Sequence, residues 1–174
     1  MTEEEFLAKY ADELPSYEFA NGEVTQKPMT KQTHFLVADE IAGKLRDYRR
    51  RTGGMSGQEP TVDFSDSINR IYRVPDVAYW APGKDRGGEV MLPPTLAVEI
   101  PSPGQTMHEL RMKCRFFREN GVDVAWLIDP GHRTVEVFED ARDGEVLSEA
   151  AILQSPHMPD FRLALADLFS VLDA

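Results

Sequence analysis

"TLAVEIPSPGQTMHELRMKCRFFRENGVDVAWLID" (residues 95–129) is the stretch on which the fold turns. "TLAVEI" (95–100) reads as a strand, closed by Pro101 and Pro103. "TMHELRMKCRFFREN" (106–120) reads as a helix: Thr106 and Glu109 have capping-box spacing, and Asn120-Gly121 ends it. "VAWLID" (124–129) is almost continuously apolar, the pattern of a strand covered on both faces. Strand, helix and strand with short links make a βαβ unit, so the two strands are expected to be parallel with a right-handed crossover.

Upstream, "YEFANGEVTQKP" (17–28) reads as a hairpin around Asn21-Gly22, a pair suited to a tight turn. Thr30 is expected to cap a helix running to about Arg51, ended by Gly53-Gly54. His34, Ala38, Ile41, Leu45 and Tyr48 share one face of that helix, which should pack on a sheet. "EPTVDF" (59–64) and "IYRVPDVAYW" (71–80) read as strands separated by a polar turn, and "APGKDRGG" (81–88) as a loop. Downstream, "TVEVFE" (134–139) is an expected antiparallel neighbour, and "MPDFRLALADLFSVL" (158–172) a docking segment with a short helix. The sum is an α+β fold, a mixed β-sheet flanked by helices, in a single domain over 1–174.

Three side chains stand out against this frame. Strand alternation puts Leu96, Val98 and Ile100 on one face and Thr95, Ala97 and Glu99 on the other, so Glu99 has small neighbours. A charge is buried only when paired or metal-bound; the plainer alternative is a glutamate at a fraying strand end, pointing to water. Asp76 also lies in an apolar run, behind Pro75, which cannot donate to a sheet ladder. Two such acids repel unless a cation sits between them, and Mg²⁺ suits carboxylate oxygens; otherwise Asp76 caps a turn or pairs with Arg70 or Arg73. On helix 106–120, Met107, Leu110, Cys114 and Phe117 form the apolar arc, and Lys113 falls inside it. Lys113 can reach back towards Glu99, snorkel to water, or pair with Glu109.

These residues together resemble the Uma-two-type putative restriction endonuclease family, in the PD-(D/E)xK nuclease superfamily. "YEFANGEV" resembles its opening hairpin, "THFLVADEIAGKL" its first helix and "RVPDVAYW" its Pro-Asp strand, here with Val74 between the arginine and the proline. "AVEIPSPG" resembles its Val-Glu-x-x-Ser-Pro motif, with Gly104 where serine is more usual. "KCRFFRENGVDVAWLIDP" resembles its lysine helix and Trp-x-x-Asp-Pro strand, with Phe117 in place of tyrosine, and "FRLALADLF" its C-terminal closure. The resemblance implies a restriction-endonuclease-like core and hydrolysis of DNA phosphodiester bonds. It implies Asp76 and Glu99 as metal carboxylates, the Ile100 carbonyl as a further ligand, and Mg²⁺ (or Mn²⁺) as the ion. Pro101 occupies the position where the common Glu-x-Lys pairing has its lysine, so Lys113 becomes the migrated catalytic lysine. A homodimer is implied for cutting both strands. The alternatives are a non-catalytic interaction module on the same fold, or an RNA or structure-specific nuclease.

The formal charge of −11 argues against non-specific adhesion to nucleic acid. Local basic clusters exist at "RDYRRR" (46–51) and at Arg111, Arg115 and Arg118, each readable as DNA contact or as solvated helix face. Glu59 is a candidate auxiliary ligand or an exposed glutamate, and His34 reads as a hydrogen-bonded core histidine. His108, His132 and His157 have no ligand spacing. The one cysteine, Cys114, reads as inert, and a lone thiol suggests a reducing compartment. The acidic "MTEEEFLAKY" start lacks the apolar core of a signal peptide, and no apolar run nears the ~18 residues of a membrane span. A cytoplasmic protein without membrane attachment is the expectation.

Overall fold

The computed structural model describes residues 1–173; Ala174 lies outside them. Helix α1 (Glu3–Lys9) leads into the hairpin β1 (Tyr17–Ala20) and β2 (Glu23–Gln26), followed by helix α2 (Gln32–Thr52). Strands β3 (Met55–Gln58), β4 (Val62–Asp63), β5 (Ile71–Arg73) and β6 (Val77–Trp80) come next. Then come β7 (Leu96–Glu99), helix α3 (Met107–Glu119) and β8 (Val124–Asp129). Strands β9 (Thr134–Glu139), β10 (Arg142–Leu147), β11 (Ile152–Ser155) and β12 (Met158–Ala164) precede helix α4 (Leu165–Ser170) and a closing 3-10 turn.

The main sheet has the order β10-β9-β8-β7-β6-β3. β7 and β8 are parallel, with Leu96 opposite Val124 and Glu99 opposite Leu127, and the other neighbours are antiparallel. The expected βαβ unit is therefore present, and Thr106 and Glu109 form the full reciprocal cap of α3. One face of the sheet, carrying Val77, Leu96, Val98, Ile100, Val124 and Trp126, packs under the apolar stripe of α2 and the C-terminal elements. The opposite face, with Ala97, Ala125 and Leu127, meets α3 through Phe117, Cys114 and Leu110. Strand alternation thus sorts Glu99 onto the α3 side. A smaller antiparallel sheet, β2-β1-β5-β4, stands beside the main one.

Several boundaries differ from the sequence reading. Run 71–80 is two strands in two sheets: β5 pairs with β1, and β6 with β7. Pro75 lacks the N–H needed to continue a ladder, so the chain crosses between sheets at Val74-Pro75-Asp76. Asp76 therefore lies at a sheet junction rather than inside a strand. Run 59–64 shortens to Val62–Asp63, and Glu59 takes a left-handed conformation at φ 50°. Lys31, not Thr30, is the N-cap of α2, and it makes no side-chain cap bond. The segment from 158 is a strand paired with β11 before the short helix begins. Helix α1 buries Phe6 alone, and the half-exposed β10 carries a bulge near Gly144, so neither leaves a clear periodic signal. Among the described residues no helix is long and apolar enough to cross a membrane.

Candidate active site

Asp76 is 3% exposed, yet ionised, because the fold supplies donors to both oxygens. The Ile100 N–H donates to Oδ2 at 2.7 Å, and the Lys27 ammonium to Oδ1 at 2.6 Å. His34 Nε2 stands 3.5 Å from Oδ1. Burial alone raises the pKa of this carboxyl, but Lys27 and His34 outweigh it and hold the group well below the usual range. The junction itself is fixed by backbone bonds, from Asp76 N–H to the Val98 carbonyl and from Glu59 N–H to the Asp76 carbonyl.

Glu99 is 1% exposed and has the opposite balance. Lys113 Nζ lies 3.0 Å from Oε1, but that oxygen accepts no properly directed hydrogen bond. The two form an ion pair, so electrostatic attraction is what Lys113 supplies. Burial, reinforced by Asp76 and Glu18, pushes the Glu99 carboxyl up to about 7 against the pull of Lys113 and Lys27. Lys113 donates instead to Glu18 Oε1 at 2.7 Å. Its ammonium is held charged, since Glu18 and Glu99 overcome the burial that would lower its pKa. The pair from Glu109 is not formed, because the Glu109 carboxylate accepts from the Thr106 N–H.

Asp76, Glu99 and Lys113 thus meet in one charged cluster, and two members escape the sequence reading. Glu18 accepts from both Lys113 and the Val74 N–H, at 2.7 and 2.9 Å. Its only sequence signal is its place opposite Tyr17 and Phe19 in the hairpin. Lys27, just beyond β2, carries no pattern at all. His34 is a buried, hydrogen-bonded histidine as expected, with Nδ1 3.0 Å from Ser102 Oγ, and it also belongs to the cluster through Asp76. Above the small neighbours of Glu99 on its strand face sits Lys113. Solvent reaches this lysine through a cleft of about 380 Å³ lined by Glu18, Arg73, Lys113 and Phe116. A second cleft, of about 390 Å³, opens past Glu59.

Residues 3–171 match the Uma2 family, described as "Putative restriction endonuclease". The chain belongs to this family. Among solved structures it is similar to a protein from Anabaena variabilis ATCC 29413, described as a putative nuclease belonging to DUF820. The two share 26% identity, with a TM-score of 0.82 and 99% of each chain covered. No curated protein matches the chain. The Uma2 fold of this chain is thus an α+β, restriction-endonuclease-like one, and its nuclease character rests on both matches.

The donors fit a hard divalent cation in kind: Asp76 and Glu99 offer carboxylate oxygens, and the strand end beside them offers a peptide carbonyl. Glu99 Oε1, buried and without a hydrogen-bond donor, is the oxygen here with lone pairs left to offer a cation. Among the described residues no cluster of three or more His, Cys, Asp or Glu is arranged to hold a metal, so an ion here would keep waters or a substrate oxygen. The arginine stripe of α3 is engaged within the protein: Arg111 is bidentate to Glu136, Arg115 meets Asp143, and Arg118 meets Asp140. His132 pairs with Asp129. Burial pushes the Cys114 thiol far up, which keeps it inert.

Proposed function

We propose that this protein is a Mg²⁺-dependent endonuclease (Mn²⁺ also serving) that hydrolyses DNA phosphodiester bonds. Asp76 and Glu99 are its metal carboxylates, the Ile100 carbonyl a further ligand, and Lys113 its catalytic lysine. The observation that carries the reading is the buried Glu99 oxygen without a hydrogen-bond donor, beside a charged Lys113. A bound divalent ion supplies Lewis acidity for the phosphate and lowers the pKa of a coordinated water. The protein's own part is positioning. Ile100 N–H and Lys27 fix the Asp76 carboxylate, Glu18 anchors the Lys113 ammonium, and α3 holds that ammonium against Glu99. From there Lys113 can neutralise a phosphate oxygen or orient the attacking water through a hydrogen bond.

Cutting both strands calls for two such sites, hence a homodimer in the working state. A second reading, an interaction module without catalysis, draws support from the −11 charge and from the arginines of α3 being spent on internal pairs. Plasmid incubated with purified protein and MgCl₂ or MnCl₂ separates the two. Cleavage is expected for the wild type and abolished in Asp76→Ala and Glu99→Ala. Cleavage that survives either substitution sinks the site assignment. Single-stranded RNA and branched DNA run in parallel distinguish substrate class at the same site.

A further inference from the structure

Lys27 only holds Asp76 in the reaction outlined above, yet the oxygen shell around its ammonium is one a bound cation would select. Its side chain is 9% exposed. The ammonium donates to Asp76 Oδ1 at 2.6 Å and to the Val74 carbonyl at 2.8 Å, and stands 3.7 Å from Glu59 Oε1. Two carboxylates and a peptide carbonyl are the donor chemistry that a hard metal ion also selects. The cage is built by the fold. Val74 and Asp76 flank Pro75, which fixes the crossing between sheets, and Glu59 is turned in by its left-handed backbone and held by Ser16 Oγ at 3.3 Å.

We propose that Lys27 is the site's resident counter-ion: a positioning residue whose ammonium sits in the Asp76 oxygen cage and competes there with a divalent cation. The inference rests on the reading of Asp76 and Glu99 as metal carboxylates. Four carboxylates, Glu18, Glu59, Asp76 and Glu99, gather round the Lys27 and Lys113 ammonium groups, with His34 beside Asp76 and Arg73 at the edge of Glu18. Without Lys27, Asp76 keeps only the Ile100 N–H and His34 as close partners, and an under-compensated buried charge is strongly destabilising. A divalent ion arriving at Asp76 in the wild type meets a cation already bonded to its ligand. With Lys27 removed it meets an Asp76 oxygen that has lost its ammonium, and its binding replaces that charge. Lys27 therefore lowers metal affinity while keeping the ion-free protein folded.

The test is titration of wild type, Lys27→Met and Lys27→Arg with MnCl₂ by calorimetry, alongside thermal unfolding in chelator and in MnCl₂. Lys27→Met is expected to bind Mn²⁺ at least about tenfold more tightly than wild type, because one nearby repelling charge is gone. It is expected to unfold at lower temperature in chelator and to show the larger upward shift with Mn²⁺. Lys27→Arg keeps the charge and is expected to stay near the wild-type affinity. A Lys27→Met protein that binds Mn²⁺ no more tightly than wild type overturns the proposal and leaves the metal reading standing. Absence of binding in both proteins overturns the metal reading as well. Should Lys27→Met fold only when Mn²⁺ is present, that itself supports the exchange. If it folds in neither condition, Lys27→Gln, which keeps amide donors for Asp76, is titrated with the same expectation and the same overturning result.

Discussion

At the scale of single residues, the site is a set of charges whose burial makes each depend on the next. Glu99 shows this most directly, since burial pushes its carboxyl up to about 7 from an ordinary 4.5. A carboxyl raised in this way favours the folded state while protonated, so its contribution is complete below about 4.5 and is lost as pH climbs towards 7. In chelator, Glu99→Gln should therefore gain stability relative to wild type across that window and hold the gain above it. Urea unfolding at several pH values checks this, and two stability curves that stay parallel would contradict it. Asp76, Glu99 and Lys113 are legible in the sequence because a charge in an apolar phase of a strand or helix is visible without knowing the fold. Glu18 and Lys27 are not, because nothing local says that their hairpin docks against α3 and the Pro75 junction. Their burial arises from contacts nearly fifty and ninety-five positions away.

At the scale of elements, the βαβ unit and the long α2 carry strong periodicity and close matches in extent, whereas edge and junction pieces do not. Run 71–80 looks like one strand because β-branched and aromatic residues dominate both of its ends, and only the missing N–H of Pro75 betrays the crossing. The link from α2 to β3 is another place where one residue sets the geometry. Gly54 has φ 101°, and a Cβ there would lie 2.4 Å from the Trp80 carbonyl oxygen. Backbone cannot yield as a flexible side chain does, so Gly54→Ala is expected to cost on the order of 3 kcal/mol. For a chain of this size that lowers Tm by roughly 10 °C. Calorimetric melting measures it, and a Tm within a degree or two of wild type would show that the α2–β3 turn has another route. The two helix starts make a related contrast. The Thr106 cap is a side-chain signature written in sequence, while α2 begins at Lys31 with no cap bond and so offers nothing to read.

At the scale of the whole molecule, the acidic surface and the internal pairing of the α3 arginines make unaided attraction to nucleic acid weak. The proposed activity therefore predicts binding that depends on the ion. Gel-shift of duplex DNA should be absent in chelator and appear with CaCl₂, which occupies oxygen sites and is a poor substitute for Mg²⁺ in hydrolysis. Retardation of equal strength in chelator would point to a DNA surface elsewhere. The placement of the cluster has a wider consequence. Glu18 and Lys27 come from the small-sheet hairpin, Glu99 from the main sheet and Lys113 from α3, while Asp76 sits where the chain passes from one sheet to the other. The polar groups of the proposed reaction are thus also the bolts of the scaffold. A lineage that stopped cutting could not shed them one at a time without loosening the join. Hence members of such a fold should keep their acids and lysines together or replace them together.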